Sequence, residues 1–261
     1  MIEALGTLGM AWAVAAAAMA VLWVVQLFTR NAGIVDVVWS FGTGIAAAWL
    51  ALVADGHPGR GFLIAGLAGF WGLRLGLHLV QRVAGEEEDT RYREIRRRLG
   101  GRFQPWLFGF FQLQGLWIVL FALPMFLAAR NPEPLGWPDA LGVLIWIVSI
   151  VGEGVADAQL SRFRRDPANR GKVCREGLWR YSRHPNYFFE WIHWWAYVAI
   201  GLAGPQGWAT LFGPLVMYLF LRRVTGIPPT EERLVESRGD AYREYQRTTN
   251  AFFPGPPKEA A

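Results

Sequence analysis

The sequence predicts an all-α fold: an integral membrane bundle of seven transmembrane helices, with the N-terminus outside and the C-terminus cytoplasmic. Three observations carry this expectation. Of 261 residues, 53% are hydrophobic and 15% aromatic, while only 18% are charged, against roughly 25% charge in an average globular domain. Fourteen tryptophans exceed what a soluble chain of this length needs, and tryptophan favours membrane–water interfaces. The basic residues are also placed unevenly. Arg30, seven between Arg82 and Arg102, eight between Arg162 and Arg183, and seven from Arg222 onward fall on one side; the opposite loops hold only Arg60 and Arg130. Positive-inside topology produces that asymmetry.

A helix needs about 20 mostly apolar residues to cross the hydrocarbon core, and seven stretches qualify. The first, 4–28, has only Glu3 before it and lacks the basic start of a signal peptide, so a retained helix is expected. The second, 33–54, carries Asp36 and Trp39; the third, 61–82, carries Trp71, Arg74 and His78. The fourth, 106–129, follows the mixed-sign loop 82–104 and holds Gln114 and Trp117. Glu153 and Asp157 lie in the fifth, 137–160, and Glu190 and His193 in the sixth, 186–204; the seventh is 207–225. Residues 226–261 are polar, contain Pro-Gly-Pro-Pro, and read as a cytoplasmic tail lying on the surface. No internal repeat or heptad seam is visible, and a single domain is expected.

Several chemistries are excluded. One cysteine, Cys174, permits no internal disulfide, and four histidines without His-Glu-x-x-His spacing leave no metal site. Neither a Gly-x-Gly-x-x-Gly turn nor a P-loop is present, and no Gly-x-Ser-x-Gly elbow. The net charge of +5 reflects membrane topology, so no nucleic-acid partner is expected. Two readings remain for the basic segments: attraction to anionic lipid, or grip on a polyanionic cofactor. The mixed signs of loop 82–104 favour the second.

Charge within a span costs at least a few kcal/mol and points to function. Trp71, Arg74, His78 and Arg82 share one helical face, as do Glu153, Asp157 and Arg164, and again Asn186, Glu190 and Trp194. Such groups could be interhelical salt bridges, for instance Arg74 with Asp157 or Glu153. Their number, and the isolation of Asp36 from any base but Arg30, favour a polar pocket open to the cytoplasm.

The most specific stretch is Gly177-Leu178-Trp179-Arg180-Tyr181-Ser182-Arg183-His184-Pro185-Asn186-Tyr187-Phe188-Phe189-Glu190. It resembles the C-terminal half of the steroid 5α-reductase superfamily, especially its bacterial members. There a Gly-Leu-x-x-Tyr segment leads into an Asn-x-x-x-Glu-x-x-x-Trp stripe, matched here by Asn186, Glu190 and Trp194. Asp157 and Arg164 look like the Asp and Arg at the cytoplasmic end of the fifth helix. Glu88-Asp89-Thr90-Arg91-Tyr92 resembles the Glu-Asp-x-Arg-Tyr loop, and Tyr245 to Phe253 the Tyr-…-Phe-Phe-Pro ending.

The resemblance implies a monomeric, multi-pass reductase of a bacterial-type inner membrane. It would use NADPH to reduce the C4=C5 bond of a 3-oxo-Δ4 steroid or similar lipid-soluble enone. The cofactor side would be cytoplasmic. Asn186, Glu190 and Trp194 would hold the nicotinamide end. Arg74, Arg91, Tyr92, Asp157, Arg164, Lys172, Tyr181, Arg183 and Arg223 would complete the cofactor site. Trp39, Trp71, Gln114 and Trp117 would line the substrate slot. The family's Gln-Glu pair and its ketone-polarising Tyr are replaced here by Asp36-Val37 and Trp71. The resemblance therefore leaves Asp36, or His78, to donate to the ketone oxygen, and a carboxyl in the bilayer favours its neutral, proton-bearing form.

The run Arg183-His184-Pro185-Asn186-Tyr187, with Glu231-Glu232 downstream, is also similar to membrane methyltransferases for isoprenylcysteine and phospholipids, which use S-adenosylmethionine. The Asn-x-x-x-Glu stripe suits a carboxamide, and a methyl donor carries no phosphate needing three arginine-rich segments. Both features favour the reductase. A transporter or receptor is the poorest fit, since no repeat of broken helices is evident.

Overall fold

The computed structural model describes residues 2–84 and 90–258, and at 82–84, 90 and 91 the backbone alone. Among the described residues there are ten α-helices and no strand. They are α1 (Ile2–Thr29), α2 (Ile34–Leu52), α3 (Pro58–Ala84), α4 (Thr90–Leu99), α5 (Phe103–Ala129), α6 (Trp137–Arg165), α7 (Pro185–Gly201), α8 (Phe212–Leu219), α9 (Ile227–Arg238) and α10 (Asp240–Thr248). Five stretches are long and apolar enough to cross a membrane: Ile2–Thr29, Ile34–Leu52, Pro58–Gln81, Tyr92–Ala129 and Trp137–Arg165. The sixth expected span is the 17-residue α7. The seventh is a 3-10 turn at Gly207–Leu211, the eight-residue α8, and a π turn at Phe220–Val224.

The chain separates into two compact units. The first contains Met1–Leu135 and Ala203–Thr210. Here α1 stops because Arg30 adopts a positive φ of 54° and Asn31 Oδ1 accepts from the Gly33 N–H at 3.0 Å, turning the chain into α2. Helix α2 packs on α3 and α5, and α1 on α5. The α2–α3 crossing is backbone on backbone: a Cβ on Gly72 would lie 2.6 Å from Gly44 Cα. Between α1 and α5, Gln26 donates to Gln104 Oε1 at 2.7 Å and Gln112 to the Ala16 carbonyl at 3.3 Å. Such bonds join helices where no hydrophobic force does.

At the other end of this unit the two arginines of the sparse face are bound locally. Arg60 is buried and donates to the carbonyls of Asn131 (2.7 Å) and Glu133 (2.8 Å). Arg130 forks onto both oxygens of Asp55, at 2.7 and 3.0 Å.

The second unit contains Gly136–Leu202 and Leu211–Ala261. Asp139 caps α6 by accepting from the Gly136 N–H at 2.8 Å. Helices α6 and α7 pair antiparallel through two small residues. A Cβ on Gly142 would meet Ile200 and the Ala196 carbonyl, and one on Gly152 the Phe189 ring. The α6–α7 connection is stitched to α6: Leu178 N–H donates to Gln159 Oε1 and the Trp179 indole to the Ala156 carbonyl, both at 2.9 Å. The segment after 226 is a folded cap. Tyr242, Tyr245 and Phe252 are buried, and the Phe252 and Phe253 rings pack edge-on against Trp191 of α7.

Candidate functional site

In the second unit, the α6–α7 register brings Asp157 opposite Asn186, whose amide donates to Asp157 Oδ1 at 3.3 Å. One turn further along α7 the Glu190 carboxyl is buried, followed by His193, Trp194 and Tyr197, all buried. These positions share a face by helical spacing. His193 Nε2 and the Tyr197 hydroxyl lie 3.2 Å apart. Three of the expected cofactor residues, Asn186, Glu190 and Trp194, therefore form one stripe on α7, and a fourth, Asp157 of α6, meets it at Asn186. Arg164, Lys172, Tyr181 and Arg223 are exposed.

Arg183 behaves differently. The resemblance implies contact with the cofactor, yet its guanidinium is buried and engaged with protein acceptors. Nε donates to Glu231 Oε1 at 2.7 Å, and Nη1 donates to the carbonyls of Gln246 (3.0 Å) and Thr249 (2.5 Å). Glu231 also meets His184 Nε2 at 3.1 Å and the Tyr242 hydroxyl at 3.4 Å through Oε1, and Gln246 at 2.9 Å through Oε2. The Ser182 hydroxyl donates to the Phe252 carbonyl at 3.0 Å. The tail thus locks the N-terminal end of α7.

Burial alone would push the Glu231 carboxyl up; hydrogen bonds from His184 and Arg183, and the Arg183 charge, reverse that and hold it at about 2. His184 is shifted down because burial outweighs its Glu231 partner. Burial likewise pushes the Tyr242 phenol up. The sequence held one sign of this network, the Glu231-Glu232 pair. Gln246 and Tyr242 carried none.

The first unit holds the residues expected to serve the ketone. Asp36 lies in the first turn of α2, half-buried, and its carbonyl accepts from the Ser40 hydroxyl at 2.9 Å. Trp39 follows at one helical turn. Its ring stands edge-on to Phe121 at 5.6 Å, and its indole N–H is enclosed without a hydrogen-bond partner. Trp71 and Gln114 are buried, Arg74 is half-buried and His78 is exposed. Trp117 meets Phe110 edge-on at 6.3 Å. Tyr92 lies in the apolar core beside Phe103 and Leu107, its ring 6.2 Å from Phe110. Glu88 and Asp89, and the side chains of Arg82 and Arg91, lie outside the described residues. No group of three or more metal-ligating side chains occurs among the described residues.

A family profile matches residues 22–249. The chain belongs to the family described as Protein of unknown function (DUF1295). It is 26% identical over 265 residues to the uncharacterized protein C594.04c of Schizosaccharomyces pombe, covering 90% of this chain and 76% of the yeast protein. No solved structure matches the chain.

Proposed function

We propose that this chain is an NADPH-dependent membrane reductase of a lipid-soluble enone, such as the C4=C5 bond of a 3-oxo-Δ4 steroid. The observation that carries the reading is the Asp157–Asn186–Glu190 arrangement. An amide and a carboxyl one turn apart offer the donor and acceptor that a nicotinamide carboxamide needs, and buried Trp194 adds a flat apolar wall. Exposed Arg164, Lys172 and Arg223 supply cations of the kind that grip phosphate. Arg183, bound to Glu231, holds the frame on which Asn186 is mounted.

When bound, NADPH supplies a hydride to the β carbon of the enone. The chain's own task is to orient that group and to stabilise negative charge on the ketone oxygen. Asp36 is the residue we assign to the oxygen, through its carboxyl O–H, and the enclosed Trp39 indole N–H is a second donor on the same face of α2. In this reading all seven apolar stretches cross a bacterial-type inner membrane. The N-terminus is outside and the cofactor side cytoplasmic, as the arginine distribution supports.

One observation favours the methyltransferase reading: His184 and Arg183 do meet Glu231. Both Glu231 oxygens, however, are already occupied by partners within the fold, which suits a lock better than a ligand site. The test is a thermal shift of the purified protein with NADPH, NADH and S-adenosylmethionine. A ligand at 100 times its Kd adds about 2.7 kcal/mol. NADPH should stabilise the wild type, and Asn186→Ala and Glu190→Ala should each lose that shift and turnover while still folding. Stabilisation by S-adenosylmethionine alone would overturn the reductase reading.

A further inference from the structure

Helix α4 carries a binding feature that the proposed activity does not use. Tyr92 lies in the apolar core, and Ile95 and Leu99 pack against it. These positions recur at helical spacing, so one face of α4 is buried. The other face carries Arg97 and Arg98, whose side chains are 81% and 75% exposed. Both guanidiniums share one carboxylate, Glu94, at 3.3 and 2.7 Å, so the cluster keeps net positive charge. Gly100 then turns the chain with φ 51°, and exposed Arg102 follows.

Beside these cations lies apolar surface. Arg96 sits 4.2 Å above the Phe103 ring. Trp106 stacks on Phe110 at 5.4 Å, yet it remains 38% exposed and Phe108 40% exposed. A free phosphate compound would satisfy the arginines and leave Trp106 and Phe108 uncovered. A phospholipid satisfies both, because its phosphate and its chains are covalently joined. Cations cluster beside interfacial aromatics for this kind of partner.

We propose that α4 and the start of α5 form a binding site for the phosphate headgroup of an anionic phospholipid. Arg97, Arg98 and Arg102 contact the headgroup, and Trp106 lies along the upper acyl chain. The site is independent of the reductase activity; it requires only residence in a membrane.

The test uses the full chain in an uncharged detergent, titrated with phosphatidylglycerol or phosphatidylcholine and read by native mass spectrometry. Phosphatidylglycerol should be retained over phosphatidylcholine. The triple variant Arg97→Gln/Arg98→Gln/Arg102→Gln should weaken that retention about tenfold or more. Arg162→Gln/Arg165→Gln/Arg170→Gln removes the same charge elsewhere and should leave it intact. Arg102→Gln alone, outside the helix, should give a smaller loss in the same direction even if the triple variant misfolds. Trp106→Ala should weaken both lipids. Equal losses in the two triple variants, no preference between lipids, or displacement by glycerol phosphate or NADPH at similar concentration would overturn the proposal.

Discussion

Glu231 illustrates how one carboxyl can hold several elements while resisting its own burial. Its side chain is only 15% exposed, and it is held at about 2 against an ordinary 4.5. That depression corresponds to roughly 3 kcal/mol of stability at neutral pH. The group's folded value lies below its unfolded one, so its contribution is fully present above 4.5 and is lost as pH falls through about 2. His184 acts in the same direction from higher pH. It is kept neutral below its ordinary 6.5, so the unfolded chain protonates first and stability begins to fall under that value. Thermal unfolding in detergent should therefore show acid destabilisation starting near 6.5 and steepening below 4.5. In Glu231→Gln the lower limb should flatten, and the buried Arg183 charge left unmatched should cost about 3–5 kcal/mol. Parallel pH profiles for variant and wild type would refute the lock. Asp36 offers the second residue-scale test. Asp36→Asn keeps shape and a donor but removes the acid, and should lower kcat for enone reduction by roughly 10²-fold. NADPH affinity should hold. Unchanged turnover in single-turnover NADPH absorbance would move the role to His78 or an ordered water, and parallel loss of cofactor binding would make Asp36 structural.

At the scale of the element, the α2–α3 crossing depends on two missing side chains. Gly72→Ala places a Cβ against the Gly44 backbone at 2.6 Å, where nothing flexible can yield; the expected cost is about 1–3 kcal/mol. Gly66, on the same helix, has nothing within 4 Å of an added Cβ. Gly66→Ala should be neutral or stabilising by up to about 1 kcal/mol. Equal melting shifts for the two variants would remove the close crossing as their cause. Long helices were the easiest elements to read from sequence. α1, α2, α3, α5 and α6 each fall on an expected span, because apolar composition over about 20 residues is a strong signal. The expected stretch 207–225 is instead divided into 3-10, α and π turns. Gly213-Pro214 falls inside it, and a proline within a helix removes one backbone donor. The carbonyl of Pro214 accepts the Trp191 indole at 2.9 Å, tying α8 to α7. Ten-residue α4 was hidden in a stretch whose charge suggested a loop. Helices α9 and α10 were hidden in a tail whose burial rests on tyrosines and phenylalanines too sparse to form a periodic stripe.

For the whole molecule, the arginine distribution makes a directional prediction. A fluorescent protein fused after Ala261 should mature in the cytoplasm, and a periplasmic-only reporter at the same place should stay inactive. The reverse would invert the proposed orientation. The stripe on α7 could be anticipated from sequence because Asn186, Glu190 and Trp194 lie close along the chain. Of the partners of Arg183, only Glu231 left a trace, in the Glu231-Glu232 pair; the carbonyls of Gln246 and Thr249, 63 and 66 residues away, left none. The same separation sets an order of events during synthesis. Ser182, Arg183 and His184 leave the ribosome before the groups that receive them, from Glu231 to Phe252. A growing chain can therefore place its apolar helices long before the N-terminal end of α7 is secured. A chain cut after Gly226 would keep the apolar stretches and lack that lock. The frame of the stripe is secured only once the cap has been made, so its integrity reports whether translation ran through the cap.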